Sequence, residues 1–184
     1  MARKAINLQT ILQTAVKLAN VNGLANVTLA SLAHELGIKT PSLYNHIEGM
    51  NGLRKELALY GMKQLYDSMV DASVGKAGDK AILSIGLAYV SFARSNPGLY
   101  EATLSASVDP DLQSAAETII KLLLRVLEEY NLTDEDAYHM IRGIRSLLHG
   151  FASLERVGGF GMSLDHDESL KRLMKTYLNG LQHA

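Results

Sequence analysis

The twenty residues from Thr28 to Ile47 constrain this chain more than any other stretch. Leu29, Leu32, Ala33 and Leu36 recur at i, i+3, i+4 and i+7, the apolar stripe of a short helix that the Thr28 hydroxyl can cap. Gly37 then supplies the residue that most readily ends a helix in a left-handed conformation. Thr40 reads as a second N-cap, with Pro41 at the first helical position, where its missing N–H costs nothing. In this second helix only Leu43 and Ile47 point inward, leaving Ser42, Tyr44, Asn45 and His46 on the outside. Two short helices around a tight turn, the second presenting small polar and aromatic groups, form the layout of a helix-turn-helix that reads DNA. An ordinary helical hairpin with a solvated face gives the same local pattern, so the context has to decide between them.

Two features of the context favour the DNA reading. Upstream, Leu8, Ile11, Leu12, Ala15 and Ala19 make an amphipathic helix, and Val21, Leu24 and Val27 carry apolar contacts across Asn22-Gly23. Three helices in the first fifty residues can close a core of their own and hold an exposed face rigid. Charge is also uneven. Residues 1–55 carry Arg3, Lys4, Lys17, Lys39, Arg54 and Lys55 against Glu35 and Glu48, a net +4, which leaves −5 on the rest of a chain whose net charge is −1. A basic head on an acidic body is what a nucleic-acid contact confined to one end requires.

The segments Ile11–Ala19, Asn22-Gly23-Leu24, Val27-Thr28-Leu29, Ser31-Leu32-Ala33, Leu36-Gly37-Ile38 and Pro41–Ile47 together resemble the DNA-binding domain of the TetR family of transcriptional regulators. Two positions depart from the family pattern: Ile47 stands where a Phe is usual, and Met50 where a phosphate-binding Lys is usual. Arg54 and Lys55 follow about one turn later. The resemblance implies major-groove and phosphate contacts from Lys39, Thr40, Ser42, Tyr44, Asn45 and His46, with Thr28 and Lys55 as further backbone contacts. It also implies a homodimer on a palindromic operator in double-stranded DNA and a small-molecule effector.

Beyond the head, 3.6-residue periodicity with only three prolines predicts an all-α fold of about nine helices. The division expected is a helix-turn-helix domain over residues 1–49 and a ligand-binding and dimerisation domain over 50–184. A long helix is predicted from Met50 to Val70, a loop over Asp71–Asp79, and helices over Lys80–Ser95, Pro97–Ser105 and Asp111–Tyr130. Thr133 starts another helix with the stripe Ala137, Met140, Ile141, Ile144, Leu148 and Phe151, and Gly158–Gly161 separates it from a last helix. That last helix carries Leu170, Leu173, Met174, Tyr177, Leu178 and Leu181, a stripe too broad to leave wet when each such side chain gains about 1.5–3 kcal/mol on burial. Packing within its own domain would satisfy it. The resemblance favours instead a two-fold interface through Ile144, Leu148, Phe151, Leu170, Met174, Tyr177 and Leu178. Tyr60, Tyr89, Tyr100, His139 and Arg142 lie on or beside apolar faces and are candidates for an effector pocket.

Other chemistries fit poorly. Ser146 and Ser153 flank His149 at helical spacing, but no oxyanion-donating turn accompanies them. Asp165-His166-Asp167-Glu168 opens a helix, where acidic residues simply oppose the dipole, so no metal site is expected. Gly158–Gly161 lacks the preceding strand and following Lys-Ser/Thr of a phosphate loop. No catalytic set and no cofactor are expected. Zero cysteines exclude disulfides, no apolar run reaches membrane-spanning length, and the N-terminus lacks the apolar core of a signal peptide, so the location expected is cytoplasmic. A helical protein-interaction module without DNA binding remains the alternative, kept open by Met50.

Overall fold

A computed structural model of the chain describes residues 6–104 and 109–181, the side chain of Leu181 excepted. Arg3, Lys4 and Ser105, used in the sequence analysis, lie outside the described residues. Among those described, eight α-helices occur and no strand: α1 (Leu8–Asn22), α2 (Leu29–Glu35), α3 (Gly49–Ser73), α4 (Gly78–Ser95), α5 (Pro97–Thr103), α6 (Pro110–Leu127), α7 (Asp134–Arg156) and α8 (His166–Leu181). Leu24–Asn26, Thr40–Asn45 and Glu128–Tyr130 are 3-10 helices. With the six-residue segment Thr40–Asn45 counted, this is the nine-helix, all-α architecture expected.

Two differences have local causes. The loop predicted over Asp71–Asp79 shrinks, because α3 continues to Ser73 and α4 already begins at Gly78. Helix α6 ends at Leu127, and the 3-10 turn after it closes on Asn131 in the left-handed region (φ 49°).

The helices group into two compact units, and α3 and α6 contribute residues to both. The first spans the chain to Gln64 together with Asn96–Ala115. Its core is built on Ile11, Leu12, Ala15 and Ala19 of α1, Leu32 and Ala33 of α2, and Leu43, Ile47, Leu53 and Leu57. Asn7 caps α1, accepting from the Thr10 N–H at 2.9 Å. Helix α5 enters this unit through a contact with α1 that only glycine allows. A Cβ on Gly98 would lie 2.7 Å from Cβ of Ala19 and deep inside its carbonyl group. Asn96, ahead of α5, makes no side-chain cap. Oδ1 of Asn20 does that work from α1, accepting from the N–H of Gly98 at 3.0 Å and of Leu99 at 3.3 Å.

The second unit holds Leu65–Ser95 and the chain from Ala116 onward. Helix α4 packs against both α7 and α8. Gly86 makes the approach close, since a Cβ there would meet Leu148 and Met174 at 3.2 Å. At one end of α4, Arg94 donates to Glu155 of α7 at 2.9 Å and to Asp167 of α8 at 2.8 Å, while His166 lies 2.8 Å from the same Glu155 carboxylate. Toward the other end, the Tyr130 hydroxyl donates to Asp79.

The dimer-interface set changes meaning here. Ile144, Leu148, Phe151, Leu170, Met174 and Leu178 are all buried within the single chain. Packing of α7 and α8 on α4, with Phe160 4.8 Å from the Phe151 ring, contributes to that burial. Tyr177 is half-buried, its hydroxyl 3.4 Å from the Met140 carbonyl and its ring filling the space beside Gly143.

Candidate nucleic-acid interface

The capping of α2 sets the geometry of the turn that follows it. The Ser31 N–H donates to Oγ1 of Thr28 and the Thr28 N–H donates to Oγ of Ser31, both at 3.0 Å. This reciprocal box satisfies two of the helix's free amides. It also occupies the Thr28 hydroxyl, named above as a phosphate contact. At the far end Gly37 takes φ 65°, and the Ile38 N–H returns to the Ala33 carbonyl at 3.0 Å. That left-handed residue reverses the chain into Thr40.

Thr40–Asn45 is a 3-10 helix rather than an α-helix, and Lys39 rather than Thr40 precedes it in extended conformation, with no side-chain cap. Six residues with a proline in second place are too few for a full α-helical ladder, and the tighter i→i+3 bond is the usual outcome. The sidedness predicted from the sequence is present. Leu43 and Ile47 are buried, while Ser42, Tyr44, Asn45 and His46 are exposed, Tyr44 by 59%. The platform beneath is the apolar contact of Leu43 and Ile47 with the first unit's core. Gly49, the first residue of α3, lies beside the Tyr44 ring, whose Cε1 would be 3.9 Å from a Cβ placed there. The exposed face therefore continues directly onto the N-terminal end of α3.

The cations divide into two groups. Lys39 is exposed and forms no ion pair among the described residues. Lys55, also named as a phosphate contact, is held within the protein: its ammonium lies 2.8 Å from Asp109 and 2.7 Å from Asp111. Hydrogen bonds to these carboxylates hold the Lys55 ammonium well above its ordinary value, and the Lys55 hydrogen bond in turn holds Asp109 below the usual carboxylate range. Asp109 also accepts from the Asp111 N–H at 2.9 Å, capping α6. No local pattern could reveal this pairing, because more than fifty residues separate its members.

Of the effector-pocket candidates, Tyr60 and Tyr100 belong to the first unit, and Tyr89, His139 and Arg142 to the second. Tyr89 and Tyr100 are buried. His139 and Arg142 lie on the exposed side of α7, where His139 sits 3.7 Å from Glu135 one turn away. A cleft of about 250 Å³ in the second unit is lined by Asp79, Lys80, Leu83, Lys175, Leu178 and Asn179, a set the sequence analysis did not single out for a pocket. The acidic opening of α8 is also committed: Asp165 caps it through the Glu168 N–H at 2.8 Å, while His166 and Asp167 join the Arg94–Glu155 cluster.

Residues 82–177 match the family model described as the Tetracyclin repressor-like, C-terminal domain. The chain is 39% identical over 180 residues to the HTH-type transcriptional regulator YobS of Bacillus subtilis (strain 168), covering 97% of this chain and 94% of that one. The chain belongs to the TetR family. Solved structures share the fold at lower identity. A protein from Rhodococcus sp. RHA1 superposes with TM-score 0.83 at 20% identity, covering 96% of each chain. A TetR variant from Acinetobacter baumannii AYE in complex with minocycline superposes at 0.73 and 15%, covering 97% of this chain and 98% of that one. As a TetR-family member the chain is a DNA-binding transcriptional regulator and not an enzyme.

Proposed function

We propose that the chain acts as a homodimeric repressor that reads a palindromic operator with the face formed by Ser42, Tyr44, Asn45 and His46. The observation that carries this reading is the sidedness of that segment, four exposed side chains carried on buried Leu43 and Ile47. Asn45 offers both a donor and an acceptor, the combination that pairs with the major-groove edge of adenine. Lys39 and Thr40 stand where the segment begins and act on phosphate, fixing register without choosing sequence.

Dimerisation is assigned to the outer faces of α7 and α8. With the inner residues of both helices taken up by α4, the apolar groups left include Tyr138, Leu147, Gly150 and Leu154 on α7 and Leu173 on α8, with Leu154 and Leu173 exposed by 50% and 37%. A palindromic operator is read by two such segments one DNA turn, about 34 Å, apart, as two-fold symmetry provides. A small-molecule effector bound within the second unit would release the DNA. The minocycline complex of the Acinetobacter protein is the supporting precedent. A coupling of about 1–3 kcal/mol gives 5- to 150-fold weaker operator binding. A regulator of this kind works in the cytoplasm, where its operator lies, and no helix of the described residues is long and apolar enough to cross a membrane.

The test is fluorescence anisotropy with a duplex selected by the wild-type protein from a random library. Asn45→Ala should weaken that duplex by about 5- to 150-fold for each half-site, the 1–3 kcal/mol of one bidentate base contact. Binding to a scrambled duplex should stay as it was. Equal affinity of wild type and variant for the selected duplex would remove Asn45 from the interface.

A further inference from the structure

The first unit contains five described lysines and arginines: Lys17, Lys39, Arg54, Lys55 and Lys63. Lys55 is held by Asp109 and Asp111, and Lys63 is engaged in an interaction of its own. Arg54 is exposed and has no hydrogen-bonding or ionic partner among the described residues. It lies on the first turns of α3, one turn beyond Met50 and Asn51 on the same side of the helix. Side chains on a helix lean toward its N-terminus, so Arg54 covers the surface about 5.4 Å back along the axis, over Met50 and Asn51. That surface adjoins the reading face, because Gly49 stands beside the Tyr44 ring.

Electrostatics there calls for a cation. Glu48 is exposed at the junction between the reading segment and α3. A duplex seated on Tyr44 brings its phosphates up to that carboxylate. The N-terminal end of α3 offsets part of the repulsion through its backbone dipole. Arg54 is the side chain placed to offset the rest, and its planar guanidinium can engage a phosphate with two parallel hydrogen bonds.

We propose that Arg54, and not Lys55, is the phosphate anchor at the border of the reading segment, while Lys55 serves as an internal brace between α3 and the start of α6. The inference rests on the DNA-binding reading of Ser42–His46 and adds a positioning residue to it. The test is the salt dependence of affinity for a 30-base-pair duplex of random sequence, which needs no knowledge of the operator. Each phosphate contact contributes about 0.9 to the slope of log affinity against log salt. With one Arg54 in each subunit of the homodimer, Arg54→Gln should lower the slope by about 1.8, so that its affinity falls about 12-fold less than wild type's between 50 and 200 mM salt. Arg54→Lys should restore most of the slope, and Lys55→Gln should leave it unchanged. A slope in Arg54→Gln equal to wild type, or a drop of about 1.8 in Lys55→Gln, would overturn the assignment while leaving the DNA reading intact. A wild-type protein that binds no duplex at all would overturn both. Far-ultraviolet circular dichroism of each variant separates a lost contact from a lost fold.

Discussion

Gly98→Ala is the substitution whose cost is most clearly set by the packing of the first unit. The added methyl would lie 2.7 Å from Cβ of Ala19 and still closer to its carbonyl. Carbon atoms rest about 3.5–4.0 Å apart, so α1 and α5 must separate by about 1 Å. The obstructing atoms are largely helix backbone, which cannot rotate away as a flexible side chain could. That separation stretches the hydrogen bonds of 3.0 and 3.3 Å by which Asn20 caps α5. Overpacking costs about 1–3 kcal/mol and each weakened cap about 1 more, giving about 3–5 kcal/mol. For a chain of this size that lowers Tm by about 6–20 °C. Asn20→Ala removes the caps without the overlap and should cost about 1–2 kcal/mol, a fall of about 2–8 °C. Thermal melts followed at 222 nm read both. A Gly98→Ala variant melting within 2 °C of wild type, or one more stable than Asn20→Ala, would refute the close α1–α5 contact.

Three further outcomes follow from the same geometry. Glu155 is pushed up by partial burial, but the hydrogen bonds from Arg94 and His166 outweigh this and hold it below its ordinary 4.5. A depressed carboxylate stabilises the fold above its unfolded pKa and loses that contribution as pH falls through the folded one. The Tm difference between wild type and Glu155→Gln should therefore be full above pH 4.5 and narrow below it; a gap independent of pH would refute the pairing. Gly150 has open space around it in the single chain. Gly150→Ala should therefore leave the monomer folded yet raise the dimer dissociation constant measured by sedimentation, and an unchanged constant would move the interface off this face of α7. Thr28→Ala removes one half of the capping box and should cost about 1 kcal/mol in urea unfolding; no loss would mean that water serves the Ser31 amide equally well.

The parts of the fold legible in the sequence are those governed by short-range spacing. Leu43 and Ile47, four residues apart, announced which side of the reading segment is buried, and the Thr28 cap and the Gly37 reversal followed from residue type alone. The 3-10 character of Thr40–Asn45 was less visible, because the periods of 3.0 and 3.6 residues barely differ over six positions. Long-range pairings left no local trace. Lys55 looked like a free cation beside Arg54 until the chain returned at Asp109 and Asp111 to hold it. The stripe on α8 announced that Leu170, Met174 and Leu178 are covered, but a stripe does not say by what, and α4 proved to be the cover.

Whether Ser42–His46 read DNA as one half of a symmetric pair can be measured by selecting duplexes from a random library with the wild-type protein and sequencing the survivors. Symmetric reading predicts an inverted repeat whose half-sites are centred one helical turn apart, about 34 Å. It predicts further that Asn45→Ala recovers no enrichment at the position Asn45 contacts. Survivors with no shared sequence, or a single half-site without its mirror image, would contradict it.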